Sequence, residues 1–283
     1  MANILTAITV IIKNLNSTSN LSAQSGSSNR ANLAGDALEH FVKCAFADCF
    51  KDDGQTQKQK LKQTFSYLGN NSNPPDAMLK GGDAIEIKKL ESAGTTQLQL
   101  NSSYPKKKLH SENPKIGEAC RKCESWSVKD MLYVIGVVKN KQLKVLFFVY
   151  GDIYCDDKAV YERIETAIKD GLNTIEGIEL AETNELGRVN KVDHLGITDL
   201  RIRGMWLIKS PLHHFEDLMG SEGQDFKLIA LIPEDKYKQF GEQNINVFES
   251  FCKDNNVTIK NVVAQNPDNP AILINTKSII FTK

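Results

Sequence analysis

The sequence predicts an α/β protein built on a mixed central sheet flanked by helices. Three observations predict it. Residues 130–138 and 143–150 are nearly continuous apolar runs separated by Asn140-Lys141, the pattern of central strands buried on both faces. Ahead of them, Leu33, Ala37, Leu38, Phe41, Val42, Ala45, Phe46 and Cys49 keep a helical apolar rhythm. Between these lies the segment from Pro75 to Lys89, which alternates with period two about Gly81-Gly82 and reads as a hairpin.

In chain order, residues 4–12 are apolar but short. They lack the basic lead-in of a signal peptide and are too few to span a bilayer, so a helix packed on the core or on a second subunit is expected. Residues 17–28 are rich in Ser and Asn and read as a linker. The chain thus divides into an N-terminal helix and linker, 1–28, and a single domain, 29–283, with a C-terminal α/β extension. The second helix takes Ser28 or Asn29 as its N-cap, and its polar face carries Asn32, Asp36, Glu39, His40 and Lys43. Residues 51–62 fit a loop or a solvated helix start, 64–68 a short strand or a helix end, and 70–74 a turn cluster.

The hairpin carries the chemistry. Its first strand starts at Pro75, where a missing N–H matters least. Gly81 and Gly82 permit the reversal, and the second strand runs from about Asp83 to Leu90. Alternation points Ile85 and Ile87 one way and Glu86 and Lys88 the other, and the neighbouring strand brings Asp76 beside that pair. Two carboxylates hold Mg²⁺ through hard oxygens while leaving water positions open. Such an ion lowers the pKa of water and stabilises charge on a phosphoryl group. A lysine on the same face orients or deprotonates the attacking water and offsets negative charge. The chemistry expected is metal-dependent hydrolysis of a phosphodiester. An ordinary solvated strand face also fits Glu86 and Lys88. A decoy of similar outline, Pro267-Asp268 followed by Ala271 to Ile274 and Asn275-Thr276-Lys277, has Asn in place of the carboxylate.

Beyond the hairpin, Gln97 to Leu100 alternates like a strand and leads into the loop Asn101-Ser102-Ser103-Tyr104-Pro105-Lys106-Lys107-Lys108. Short polar side chains, an aromatic ring and three lysines suit contact with phosphates or groove edges; a solvated turn is the plainer reading. Residues 161–172 read as a helix. From Asp199 to Ile208, Arg201 and Arg203 share one strand face and Leu200 and Ile202 the other. Two such arginines reach guanine edges or phosphates, or pair with the nearby acidic stretch. The tail is expected to hold a strand at 226–232, a helix from Pro233 to about Asn255, and strands near 257–263 and 271–274.

Equal numbers of basic and acidic side chains, 35 each, leave the 283-residue chain with no net charge, so total charge points to no polyanionic partner. The distribution is uneven. Residues 104–122 hold six Lys/Arg against two Glu, and residues 151–199 hold twelve Asp/Glu against five Lys/Arg. A basic lobe beside an acidic one fits a protein that grips a phosphate backbone on one side, as do two separate solvated surfaces. Six cysteines follow no secreted spacing, and the Cys120–Cys123 pair lacks a second ligand pair for zinc. A reduced, cytoplasmic protein is expected. With no phosphate-binding glycine loop, dinucleotide fingerprint or nucleophile elbow, nucleotide hydrolysis and serine-hydrolase chemistry have no support.

The helix from Asn29 to Glu39, the Pro75-Asp76 and Glu86-Ile87-Lys88 site, and the Asn101-to-Lys106 loop together resemble the NgoPII family of type II restriction endonucleases, within the PD-(D/E)xK nuclease superfamily. The likeness runs from about Ser27 to the Arg201 strand. It implies a PD-(D/E)xK restriction-endonuclease-like core in a homodimeric, Mg²⁺-dependent enzyme that cuts double-stranded DNA at GGCC, with a cognate methyltransferase protecting the host. It implies that Asp76 and Glu86 hold the metal and that Lys88 is the catalytic lysine. Glu39, by the same resemblance, matches the helix carboxylate that many such nucleases add and is a third candidate for the metal; a surface residue paired with Lys43 at i+4 also fits it. Contact with DNA by Asn101, Ser102, Ser103, Lys106, Lys107, Lys108, Arg201 and Arg203 is inferred beyond the motif. A non-catalytic DNA-binding protein and a repair or recombination nuclease of the same superfamily are the alternatives.

Overall fold

The computed structural model describes residues 2–18, 30–69, 73–101, 103–218 and 225–283. Helices α1 (Ile4–Thr18) and α2 (Arg30–Ala47) precede α3 (Gly54–Thr64), whose N-cap Asp53 accepts from the backbone N–H groups of Gln55 and Thr56. An antiparallel meander follows: β1 (Phe65–Tyr67), β2 (Ala77–Leu79) and β3 (Ala84–Leu90). Then come β4 (Gln97–Asn101), β5 (Lys108–His110), α4 (Glu118–Lys122) and the long pair β6 (Val128–Lys139) and β7 (Gln142–Tyr150). A crossover holds α5 (Lys158–Asn173), β8 (Glu179–Leu180), β9 (Gly187–Asn190), β10 (Leu200–Ile202), β11 (Met205–Lys209) and α6 (Pro211–His214). It leads to β12 (Lys227–Pro233), α7 (Glu234–Lys238), α8 (Glu242–Asp254), β13 (Thr258–Asn266) and β14 (Asn269–Thr282).

The main sheet runs β1-β2-β3-β6-β7-β12-β14-β13, with β5 paired to β6 off this path. The pairs β3·β6 and β7·β12 are parallel, and their neighbours along the path are antiparallel. This is the mixed sheet flanked by helices that the sequence predicts. Two small sheets, β8-β9-β10 and β4-β11, stand outside it.

Alternation along the buried strands divides the interior in two. Leu132 and Val134 of β6, Leu146 and Phe148 of β7, and Leu228 and Ala230 of β12 join the core that α1, α2 and α8 cover. Tyr133 and Ile135, Phe147 and Val149, and Ile229 and Leu231 join the opposite core with Leu109, Ile116, Leu212 and Phe215. A strand with a core on each face needs apolar residues at every position, which explains the unbroken runs. Strand β3 differs. Ile85 and Ile87 enter the first core, whereas Glu86 and Lys88 stand half-buried on the other face. Helix α1 packs against α2, with Ile4, Ile8 and Ile11 fully buried.

Several expectations are revised. The tail helix is two helices, interrupted at Gly241, whose φ is 83°. The stretch 199–208 splits at Arg203-Gly204, and its halves pair with β9 and β4 rather than with the main sheet. Leu200 is exposed, because the small sheet has no core on that side. The last two strands are longer than expected, since each forms a hairpin arm on the other. The linker residues 19–28, the N-cap at Ser28 or Asn29 and residues 70–72 lie outside the described residues.

Leu38 of α2 is fully buried, and a Cβ placed on Gly136 of β6 would lie 2.6 Å from its Cδ1. This is helix-on-sheet contact without spare room. Leu38→Ala is expected to destabilise the fold by about 2–5 kcal/mol, read as a lower thermal unfolding midpoint. An unchanged midpoint would contradict this packing.

Candidate active site

The hairpin forms as the sequence predicts. Ala77 pairs with Ile85 and Met78 with Ala84, and Gly81 takes a φ of 61° in the turn. The Asp76 N–H donates to Ile85 O at 3.0 Å, and Asp76 Oδ2 accepts from the Ile87 N–H at 2.6 Å. Those two bonds set the carboxylate beside Glu86 and Lys88. Lys88 Nζ lies 2.7 Å from Glu86 Oε1. Glu86 Oε2 is buried and has no hydrogen-bond partner among the described residues.

Burial, and then the charge of Glu86, push the Asp76 carboxyl up to about 8, against the pull of Lys88 and the Ile87 N–H. Burial also works against the Lys88 ammonium, but Glu86 and Asp76 outweigh it and hold Lys88 above its ordinary value. Glu39 adds its negative field to both groups from α2, where it pairs with Lys43 Nζ at 3.1 Å. It does not complete a ligand cluster: among the described residues, no three His, Cys, Asp or Glu side chains are grouped to hold an ion. Asp76, Glu86 and Lys88 therefore converge, and Glu39 keeps a partner of its own.

The trio opens on a cleft of about 870 Å³. Met131 and Tyr133 of β6 line it beside the trio, with Ser103, Tyr104 and Lys106 from the basic loop. Asn184, Glu185, Arg201, Arg203 and Met205 line it from the small sheets and their connections.

The residues inferred to touch DNA divide. Lys107 pairs with Asp268, an aspartate of the decoy, and Lys108 Nζ lies 2.6 Å from Asp130 Oδ1 and 2.8 Å from Asp152 Oδ2. Lys106 turns inward, 5% exposed, and donates to Ser103 Oγ and, at 3.2 Å, to Tyr104 O. Burial draws its ammonium down to about 8, while the field of Glu86 acts in the opposite sense. The Tyr104 ring stacks on Tyr161 at 5.5 Å and its hydroxyl donates to Glu162 Oε1 at 2.7 Å, so this ring is packed inside. The Asn101 side chain and Ser102 lie outside the described residues.

Arg201 binds Glu185 through two nitrogens, at 2.9 and 2.6 Å, and Arg203 Nε lies 2.9 Å from the same carboxylate. Pairing with the acidic stretch is therefore realised. Sequence reasoning missed Glu185. Two arginines two residues apart beside an acidic stretch signal such a partner, but nothing local selects it from twelve acidic residues. Sequence reasoning also missed Gly151, just after β7. A Cβ there would fall 2.5 Å from Lys107 O and 2.6 Å from Lys106 O. The Tyr133 hydroxyl closes on the same loop, accepting from the Lys106 N–H at 2.6 Å and donating to Lys106 O at 3.1 Å.

This fold and this hairpin define a class, the restriction-endonuclease type of nuclease. Similarity to known proteins narrows it. Residues 2–265 match the NgoPII restriction endonuclease family. Over 261 residues the chain is 45% identical to the type II restriction enzyme NgoPII of Neisseria gonorrhoeae, covering 92% of each chain. The chain belongs to the NgoPII restriction endonuclease family. No solved structure matches it. Among the described residues no helix is long and apolar enough to cross a membrane.

Gly151→Ala is expected to force the Lys106–Lys107 backbone outward. Overpacking of this kind costs about 1–3 kcal/mol, and DNA cutting should slow with it. Parent-like stability and parent-like cutting together would show that the loop does not need this close approach.

Proposed function

We propose that the chain is an Mg²⁺-dependent endonuclease that hydrolyses both strands of DNA at GGCC. It acts as a homodimer, in a cell whose cognate methyltransferase protects the same sites. The observation that carries this reading is the convergence of Asp76, Glu86 and Lys88 on one cleft, in a chain so similar to a type II restriction enzyme.

The donor set fits the metal. Glu86 Oε2 is a buried oxygen without a partner among the described residues, and Asp76 is driven toward protonation by burial and by Glu86. A divalent cation relieves both. Asp76 and Glu86 would hold it through hard oxygens, leaving its other positions to water and phosphate. Glu39 contributes field from α2. When bound, the ion activates water and draws charge from the phosphoryl group.

The chain's own residues position and neutralise. The Ile87 N–H fixes the direction of the Asp76 carboxylate. Lys88 stays charged beside Glu86, so it orients the attacking water and offsets phosphate charge rather than accepting a proton. Water adds to phosphorus and the ester oxygen leaves. Ser103 and Lys106 line the cleft, while Lys107 and Lys108 tie their loop to Asp268, Asp130 and Asp152. Arg201 and Arg203 exchange Glu185 for phosphate or a guanine edge when DNA enters.

Purified protein with Mg²⁺ and a plasmid of known sequence is expected to give discrete fragments with ends at GGCC. Glu86→Ala or Lys88→Ala should slow cutting by about 100-fold or more, with binding to a GGCC duplex retained. Intact DNA under every divalent metal would instead assign a non-catalytic DNA-binding protein, and smearing without preferred ends a repair or recombination nuclease.

A pH dependence follows from Asp76. Its folded pKa lies above the unfolded one, so the stability it contributes is present at low pH. That stability is lost as pH rises from the ordinary 3.8 to about 8. Mg²⁺ binding should release a proton and tighten across the same window. Calorimetry in buffers of different ionisation enthalpy reads that release. Asp76→Asn should remove it, raise the thermal midpoint of the metal-free protein and stop cutting. Buffer-independent heats would count against the arrangement.

A further inference from the structure

The three lysines of the basic loop have different fates. Lys107 and Lys108 are paired with carboxylates. Lys106 is buried and is among the residues that line the cleft with Asp76, Glu86 and Lys88, close enough for its ammonium to feel the charge of Glu86. We propose that Lys106 is a second active-site lysine, which contacts the phosphodiester that is cut from the wall of the cleft beside Lys88. This rests on the nuclease reading and assigns that reaction a further group.

The contrast with other lysines of the fold carries the argument. Lys129 is equally buried, but it pairs with Glu124 and donates to Leu79 O and Gly82 O. Lys236 pairs with both Asp83 and Asp130. These are structural solutions to burying an ammonium, because a buried charge without a counter-charge is costly. Lys106 has no such solution. Among the described residues no carboxylate lies within ion-pair distance of its Nζ, and its hydrogen bonds go to a hydroxyl and a carbonyl. An ammonium has three donors, so one remains for a ligand. The Tyr104 ring covers another side, 5.3 Å from Nζ.

The backbone beneath Lys106 is held for precision. Tyr133 clamps both its N–H and its carbonyl, and Gly151 lets the core approach closely. A cation fixed in a wall of low dielectric, with its counter-charge absent, is preorganised for an anion that arrives later. In this cleft the arriving anion is a phosphodiester, whose non-bridging oxygens gain charge as water adds. Lys88, 2.7 Å from Glu86 Oε1, shares its charge with that carboxylate, so a second cation adds to what Lys88 offers the phosphate. No proton or covalent bond moves through Lys106; its contribution is charge at a fixed place.

The test compares the parent with Lys106→Met, a substitution that keeps length and removes charge. Single-turnover cutting of a GGCC-containing plasmid with Mg²⁺ should slow by about 100-fold. Affinity for a short GGCC duplex in Ca²⁺ should persist, and the thermal midpoint should stay level or rise, because the uncompensated charge is gone. In Lys106→Ala, added propylamine should restore part of the cutting, a rescue that a purely structural lysine does not show. Parent-rate cutting by Lys106→Met overturns the assignment. So does a lower midpoint in both variants without amine rescue, which makes Lys106 a folding residue. A parent that cuts no DNA overturns the nuclease reading and this assignment with it.

Discussion

The bond from the Ile87 N–H to Asp76 Oδ2, 2.6 Å long, holds two carboxylates closer together than they would settle alone. Both are half-buried, and burial together with the charge of Glu86 makes Asp76 harder to ionise. Lys88 relieves Glu86 through one oxygen and leaves the other buried without a hydrogen-bond partner among the described residues. The hairpin therefore carries an electrostatic deficit built into its backbone register. Stability alone would not select such an arrangement. The deficit has the sign and the hardness that a divalent cation and a phosphate satisfy together.

A second electrostatic system holds the surroundings still. Lys236 of α7 bridges Asp83, next to the hairpin turn, and Asp130 of β6. Asp130 also receives Lys108, which reaches on to Asp152, and the Tyr150 hydroxyl donates to Asp83 Oδ2 at 2.7 Å. Turn, central strands, tail helix and basic loop share one network of alternating charge. Connected networks of this kind rigidify when fully satisfied. Charges that look like a basic lobe in the sequence are thus spent mostly on anchoring, and the net +4 of residues 104–122 overstates what that lobe offers to a ligand.

The cleft's far side follows another logic. Arg201 and Arg203 both lean on Glu185. Such exposed pairs are worth little individually, so the proposed exchange of Glu185 for a phosphate or a base edge would cost little. The same carboxylate gathers both arginines at one place in the cleft lining. Beside the hairpin the charges are held by burial, while Arg201 and Arg203 sit in exposed ion pairs.

Much of this was legible in the sequence, because it is local. Period-two alternation put Glu86 and Lys88 on the face opposite Ile85 and Ile87, and the Gly81-Gly82 pair set the reversal that brings Asp76 alongside. The unbroken apolar runs announced strands with a core on each side. What the sequence could not determine depends on partners distant along the chain. Lys106, Lys107 and Lys108 are adjacent and chemically identical, yet Asp268, Asp130 and Asp152 claim two of them and Gly151 with Tyr133 turns the third inward. Glu185 meets two arginines only because a small sheet forms outside the main one. Alternation is a property of one strand, whereas ion pairing and burial are properties of neighbours that only the folded chain brings together.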